Sequence, residues 1–191
     1  MNSSTALPLA LHQANMDLQA RLAERAQAGG QHWLEFGLRL VEPRAGLVPL
    51  TFDGAGWTPY AQLAGLALPV RIETGPIDAT PKQRKKAVVF AEDLLFTHRG
   101  LSGPAVLQIS SYWQPGTPLS INLAPGTDLP EALALGKARS KKLIANELAT
   151  VVPSRLADTW AQQSPDWQRP INEASDKALA KLAEQLARWE L

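Results

Sequence analysis

The chain has 191 residues, 19 basic against 18 acidic side chains, and no cysteine. The length suits one domain, or one domain with an appendage. The missing cysteines exclude a disulfide scaffold, a thiolate metal site and a cysteine nucleophile. A formal charge of +1 gives no global pull toward nucleic acid or an anionic membrane, so neither is expected as a partner.

Other composition values fit a globular protein: 45% of residues are hydrophobic and 19% are charged. Fifteen prolines and six tryptophans are unusual at this length. The prolines are spread along the chain and punctuate many short elements. No apolar run approaches the length of a transmembrane helix. The first residues lack the basic flank and long apolar core of a signal peptide, so a cytoplasmic location is expected.

Residues 7–28 have helical spacing. Leu7, Leu11, Ala14, Leu18 and Leu22 share one face, and Gly29-Gly30 ends the helix. Residues 38–41 and 47–52 are short apolar runs that predict strands, with Pro49 placing the second at an edge or bulge. Thr58-Pro59 predicts a short helix that opens there and stops by Gly65. Alternation predicts a half-buried strand over 68–73. Residues 87–90 and 94–97 read as two further strands. A helix follows Gly100, with Val106, Ile109 and Trp113 on one side, and 119–123 alternates again. The remainder, 129–191, reads as entirely helical. Leu143, Leu148, Val151 and Val152 form one apolar set there, and Leu179, Leu182, Leu186 and Trp189 form a final stripe. The predicted fold class is α+β, a small β-barrel-like sheet with a C-terminal helical subdomain and an extra N-terminal helix. Its expected division is 1–35, 36–128 and 129–191.

Two constellations carry possible chemistry. Lys82, Arg84, Lys85 and Lys86 make a basic loop that either holds phosphates or is a solvated hairpin tip. Its lack of nearby aromatics favours the second. The more informative stretch is Phe96-Thr97-His98-Arg99-Gly100-Leu101-Ser102-Gly103-Pro104. It reads as a strand ending at Thr97 and a helix starting near Ser102, with Ser102 as N-cap. Such a junction can bind an anion at the helix start, with Arg99 adding donors and His98 handling a proton. The plainer alternative is a tight structural turn. His12, His32 and His98 have no metal-ligand spacing, so no metal is expected. Ser102 lacks the surroundings of a hydrolase nucleophile. No dinucleotide or P-loop glycine fingerprint is present, since Gly54-Ala55-Gly56 continues into Trp57 and Thr58 without the third glycine. The tryptophans, Trp33, Trp57, Trp113, Trp160, Trp167 and Trp189, are spread in the manner of core packing.

Residues 36–52 and the motif at 95–111 resemble the middle, insertion domain of bacterial NAD(P)/FAD-dependent oxidoreductases, the aminoacetone-oxidase-like FAD-binding flavoproteins. The region around Pro153 and Arg155 and the final helix to Trp189 extend the resemblance over about 36–189. It implies a truncated part of a flavin enzyme that covers the FAD and shapes the substrate pocket, inactive by itself. The missing FAD-binding domain would be its partner, and no FAD is expected to bind tightly to this chain alone. His98 would be the catalytic group, with Arg99, Gly100, Ser102 and Gly103 on the loop facing cofactor or substrate. Residues 7–35 resemble the opening helix of phasins. The rival reading is therefore a granule- or partner-binding module, open to self-association through that helix.

Overall fold

The structure is a computed structural model, and it describes residues 46–52, 54–75, 87–114 and 116–191. The helix expected over 7–28, the strand over 38–41 and the basic loop at Lys82–Lys86, together with Trp33, His12 and His32, lie outside the described residues.

The described strands form one six-stranded sheet. In chain order they are β1 (Leu50–Thr51), β2 (Ala67–Thr74), β3 (Val88–Thr97), β4 (Gly100–Ser102), β5 (Leu119–Asn122) and β6 (Trp189–Glu190). Their spatial order is β1-β4-β3-β2-β5-β6, and every pair is antiparallel. The six α-helices among the described residues are α1 (Gly54–Ala61), α2 (Pro104–Ser110), α3 (Leu129–Arg139), α4 (Ile144–Leu148), α5 (Ser154–Ala161) and α6 (Asp176–Ala187). This is the expected α+β arrangement of a small curled sheet with a helical part.

Sequence periodicity sets β2 directly. Leu68, Val70, Ile72 and Thr74 point inward, and the residues between them face out or sit half-buried. β5 follows the same rule with Leu119 and Ile121 inside. β1, just after Pro49, lies at the sheet edge as a proline predicts.

Four elements differ from expectation. The two strands predicted over 87–90 and 94–97 are one ten-residue strand. Glu92 and Asp93 are exposed but stay in register opposite Val70 and Pro69, so the charges mark solvent exposure and not a break. The helix predicted to open at Thr58-Pro59 opens earlier, at Gly54. The Thr58 hydroxyl donates back to the Gly54 carbonyl at 2.6 Å, a side-chain bond within the helix and not a cap. Leu143 is 49% exposed, and Ile144 takes the inward place beside Leu148 and Val152. The last helix ends at Ala187, and Trp189 sits on β6 against β5. Two bonds between Leu191 and Leu119 extend that pairing.

Sheet and helices share one hydrophobic core. Its centre is aromatic. Trp57 stacks on Phe52 at 4.6 Å between centroids, and Trp189 lies near Trp57, Tyr60, Phe96 and Trp160. Trp113 and Trp167 satisfy their indole N–H groups on the carbonyls of Thr117 and Ala178. Arg155 of α5 donates to the carbonyls of Gln62 and Ala64 just after α1, which ties the helical part to the sheet part.

Tyr60 belongs to this cluster. Burial raises its phenol above the ordinary value of 10.0, with Gln163 and Trp189 opposing that shift. The unfolded chain then releases the Tyr60 proton before the folded one does. This contribution to stability is whole below pH 10 and is lost as pH rises toward the folded value. Urea unfolding between pH 9 and 11 is expected to show a decline (roughly the window set by the free phenol) that Tyr60→Phe makes shallower.

Candidate functional site

The predicted strand ends at Thr97 and a helix opens at Pro104, but a short strand, β4, pairs back on β3 between them and makes a hairpin. Leu95 faces Ser102, Phe96 faces Leu101 and Thr97 faces Gly100. Only His98 and Arg99 lie between the strands, and both are exposed. Ser102 is a strand residue. Gly103 takes the N-cap position of α2, with φ 90°, and Pro104 opens the helix. The cap role expected of Ser102 therefore fails, because β4 pairing claims that residue.

The two motif glycines are needed for close backbone approach. A Cβ on Gly100 would lie 2.0 Å from the Leu50 carbonyl oxygen of β1. One on Gly103 would lie 2.8 Å from Asp93 O and Leu95 N of β3. At the start of α2 Pro104 is exposed, while the next two residues, Ala105 and Val106, are fully buried.

Four bonds hold the hairpin tip. Thr97 Oγ1 donates to the Gly100 carbonyl at 2.9 Å and accepts from the Arg99 N–H at 3.4 Å. Phe52 N–H donates to the Arg99 carbonyl at 3.0 Å. Trp57 Nε1–H donates to the Thr97 carbonyl at 3.0 Å. Thus α1 and the segment after β1 fix the backbone on both sides of His98 and Arg99 and leave their side chains exposed.

Those side chains border an open cleft of about 470 Å³ lined by Phe52, Gly54, Trp57, Thr58, Ala61, His98 and Arg99. Its lining combines the stacked Phe52–Trp57 pair with an imidazole and a guanidinium on the rim. An imidazole donates or accepts a proton, and a guanidinium offers a planar fork to an anion or a carbonyl. Of the five residues expected at the site, His98 and Arg99 reach this cleft. Gly100, Ser102 and Gly103 serve the hairpin behind it. Phe52, Trp57 and Thr58 were missed as cleft residues. The aromatic spacing was visible, but nothing local in sequence linked Trp57 to a turn forty residues later.

A flavin dinucleotide needs backbone donors for its pyrophosphate, ordinarily at a strand-to-helix turn in a parallel sheet. Every strand pairing here is antiparallel. The described residues therefore do not fit a dinucleotide-binding unit. Among them no three His, Asp or Glu side chains gather as a metal-ligand set. No helix among the described residues is long and apolar enough to cross a membrane.

The fold is thus a barrel-like sheet joined to a helical part, with an aromatic cleft at one hairpin. The chain belongs to the family described as "HI0933-like protein barrel and H2TH domain", which it matches over residues 44–191. It is similar to a protein of Escherichia coli (strain K12) named "Ribosomal RNA dihydrouridine synthase", at 45% identity over 135 residues. That match covers 69% of this chain and 31% of the relative. A protein of the same name from Haemophilus influenzae (strain ATCC 51907 / DSM 11121 / KW20 / Rd) is 36% identical over 157 residues, covering 82% of this chain and 36% of that relative. The chain therefore spans about a third of the length of these curated relatives.

Proposed function

We propose that this chain is the covering part of a flavin-dependent reductase that converts uridine in ribosomal RNA to dihydrouridine. The observation that carries this reading is the family match across 44–191, joined to two relatives that bear one and the same name. Dihydrouridine formation adds a hydride and a proton across the C5–C6 double bond of uracil. A reduced flavin supplies the hydride when bound. The flavin would be held by a separate FAD-binding domain, because the antiparallel sheet here is unsuited to hold its pyrophosphate.

In this reading the cleft faces the flavin and substrate. His98 handles the proton, and Arg99 contacts a uracil carbonyl or a phosphate. Phe52 and Trp57 act through the backbone they pin, keeping the two rim residues in place. In this reading ribosomal RNA is the substrate, against the expectation from net charge and from the basic loop's lack of aromatics that nucleic acid is no partner.

Flavin titration of the purified chain tests the division of labour. The expected result is no stoichiometric FAD binding and no reductase activity. Tight one-to-one binding with turnover would place the flavin site in this chain and sink the covering role.

A further inference from the structure

Of the eleven Lys and Arg side chains among the described residues, five are occupied. Lys137 pairs with Asp176 at 2.6 Å, Arg71 with Glu73 at 2.9 Å, Arg169 with Asp166 at 3.4 Å and Arg188 with Glu190 at 2.8 Å. Arg155 is engaged with backbone carbonyls. Of the other six, the turn between α3 and α4 gathers three. Residues 137–142 carry Lys137, Arg139, Lys141 and Lys142. The last three are exposed and make no ion pair among the described residues.

Cations in the last turn of a helix commonly serve only to offset its dipole. That explains Lys137 and Arg139, both in the last turn of α3. It does not explain Lys141 and Lys142, which lie beyond the helix end. The nearest acid in sequence, Glu147, forms no ion pair with them. Its Oε1 accepts from the Ser140 hydroxyl at 2.5 Å, and its Oε2 lies over Gly136.

The turn is also stiff. Lys142 N–H donates to Ser140 Oγ at 3.2 Å, Ile171 N–H to the Lys142 carbonyl at 2.9 Å, and Ile144 N–H to the Arg169 carbonyl at 3.1 Å. Leu143 forms an antiparallel bridge with Pro170. The cations therefore project from a fixed backbone, which lowers the ordering cost of gripping a ligand.

We propose that this turn is the chain's contact for the phosphate backbone of RNA, with Arg139, Lys141 and Lys142 each neutralising a phosphate. The proposal rests on the ribosomal RNA reading above. Phosphate contacts position a duplex or stem-loop without reading its bases, and the turn offers cations with few base-reading groups. A membrane surface fits less well, because Leu143 is the one large apolar side chain exposed in this turn and a monolayer needs an apolar face. The turn is connected to the cleft by packed elements. α4 packs on α5, whose Arg155 holds the carbonyls that follow α1, a wall of the cleft.

The test uses the full chain, a fluorescein-labelled ribosomal RNA stem-loop and anisotropy across a salt series. The Arg139→Ala/Lys141→Ala/Lys142→Ala variant is expected to bind about tenfold more weakly or worse, with the log–log salt slope reduced by about 3. Lys177→Ala/Lys181→Ala, on the outward face of α6, is expected to match the parent. Thermal melts of both variants are expected to match the parent, since all five side chains are exposed. A triple variant that binds like the parent overturns the proposal. So does a parent that fails to bind the stem-loop, or that prefers phosphatidylglycerol vesicles. Dihydrouridine formation is a separate readout. If an enzyme carrying residues 44–191 makes dihydrouridine with an unchanged KM for RNA in the triple variant, this contact falls and the function stands. If it makes none, the function falls while the anisotropy still reports on the contact.

Discussion

Gly100→Ala is expected to cost about 3 kcal/mol of stability, at the upper end of what overpacking does. The new methyl would sit 2.0 Å from the Leu50 carbonyl oxygen, 2.9 Å from its carbon and 3.0 Å from the Thr51 Cα. All three are backbone atoms, so no side chain can swing aside. Either β1 leaves the sheet or β4 shifts. Both movements break the bond from Phe52 N–H to the Arg99 carbonyl and loosen the cleft rim. In a thermal melt the loss corresponds to about 10 °C for a chain of this size. Gly126→Ala is the control, because nothing lies within 4 Å of its added carbon. A Gly100→Ala protein that melts with the parent would show that β1 does not sit where the structure places it.

The second large effect is at Trp189. Truncation to alanine is expected to cost about 4 kcal/mol, within the range for deleting a buried tryptophan. The side chain is 7% exposed and lies 5.2 Å from Tyr60, 5.3 Å from Trp160 and 6.0 Å from Phe96, between ring centroids. It joins the sheet, α1 and α5 in one contact set, so its loss should uncouple them. Urea unfolding should show a lower midpoint, and Trp189→Phe should recover part of it. A broader transition in the alanine variant would show that the sheet and helical parts no longer unfold together. An unchanged midpoint would contradict the central position of this ring.

These two positions show what sequence alone made readable. β2 and β5 were legible because strand alternation is local, and the partners of Ile72 and Ile121 follow once both faces are assigned. The turn at His98 and Arg99 was also legible as a special place, since two glycines, a proline and four polar residues crowd it. Its geometry was not. Gly103 does serve the helix start, but both it and Gly100 also admit neighbouring strands, and such approaches leave no local mark. β6 was hidden for a related reason. Trp189 continues the helical spacing of Leu182 and Leu186, and only pairing with β5, some seventy residues away, turns it into a strand. The cleft was half legible: its rim was named from the motif, while Phe52, Trp57 and Thr58 reach it through the fold.

Under the proposed reading, net charge is the weakest guide to an RNA partner. A total of +1 suggested indifference to nucleic acid, but the sum hides its distribution. Among the described residues, paired acids neutralise Lys137, Arg71, Arg169 and Arg188, and the cations without an ion pair include three at one rigid turn. Local fields at such a turn act within about a Debye length and are not cancelled by distant acids.

The most direct measurement is the dihydrouridine content of ribosomal RNA, read by mass spectrometry of nucleosides. The host would be an Escherichia coli strain lacking its own ribosomal RNA dihydrouridine synthase. That enzyme would be returned with its matching segment replaced by residues 44–191 of this chain. The account predicts a folded, FAD-loaded protein that restores dihydrouridine, and a His98→Ala/Arg99→Ala version that stays folded and FAD-loaded but restores much less. A folded, FAD-loaded graft that restores none would contradict the proposed function, and an undiminished double variant would remove the cleft from the site.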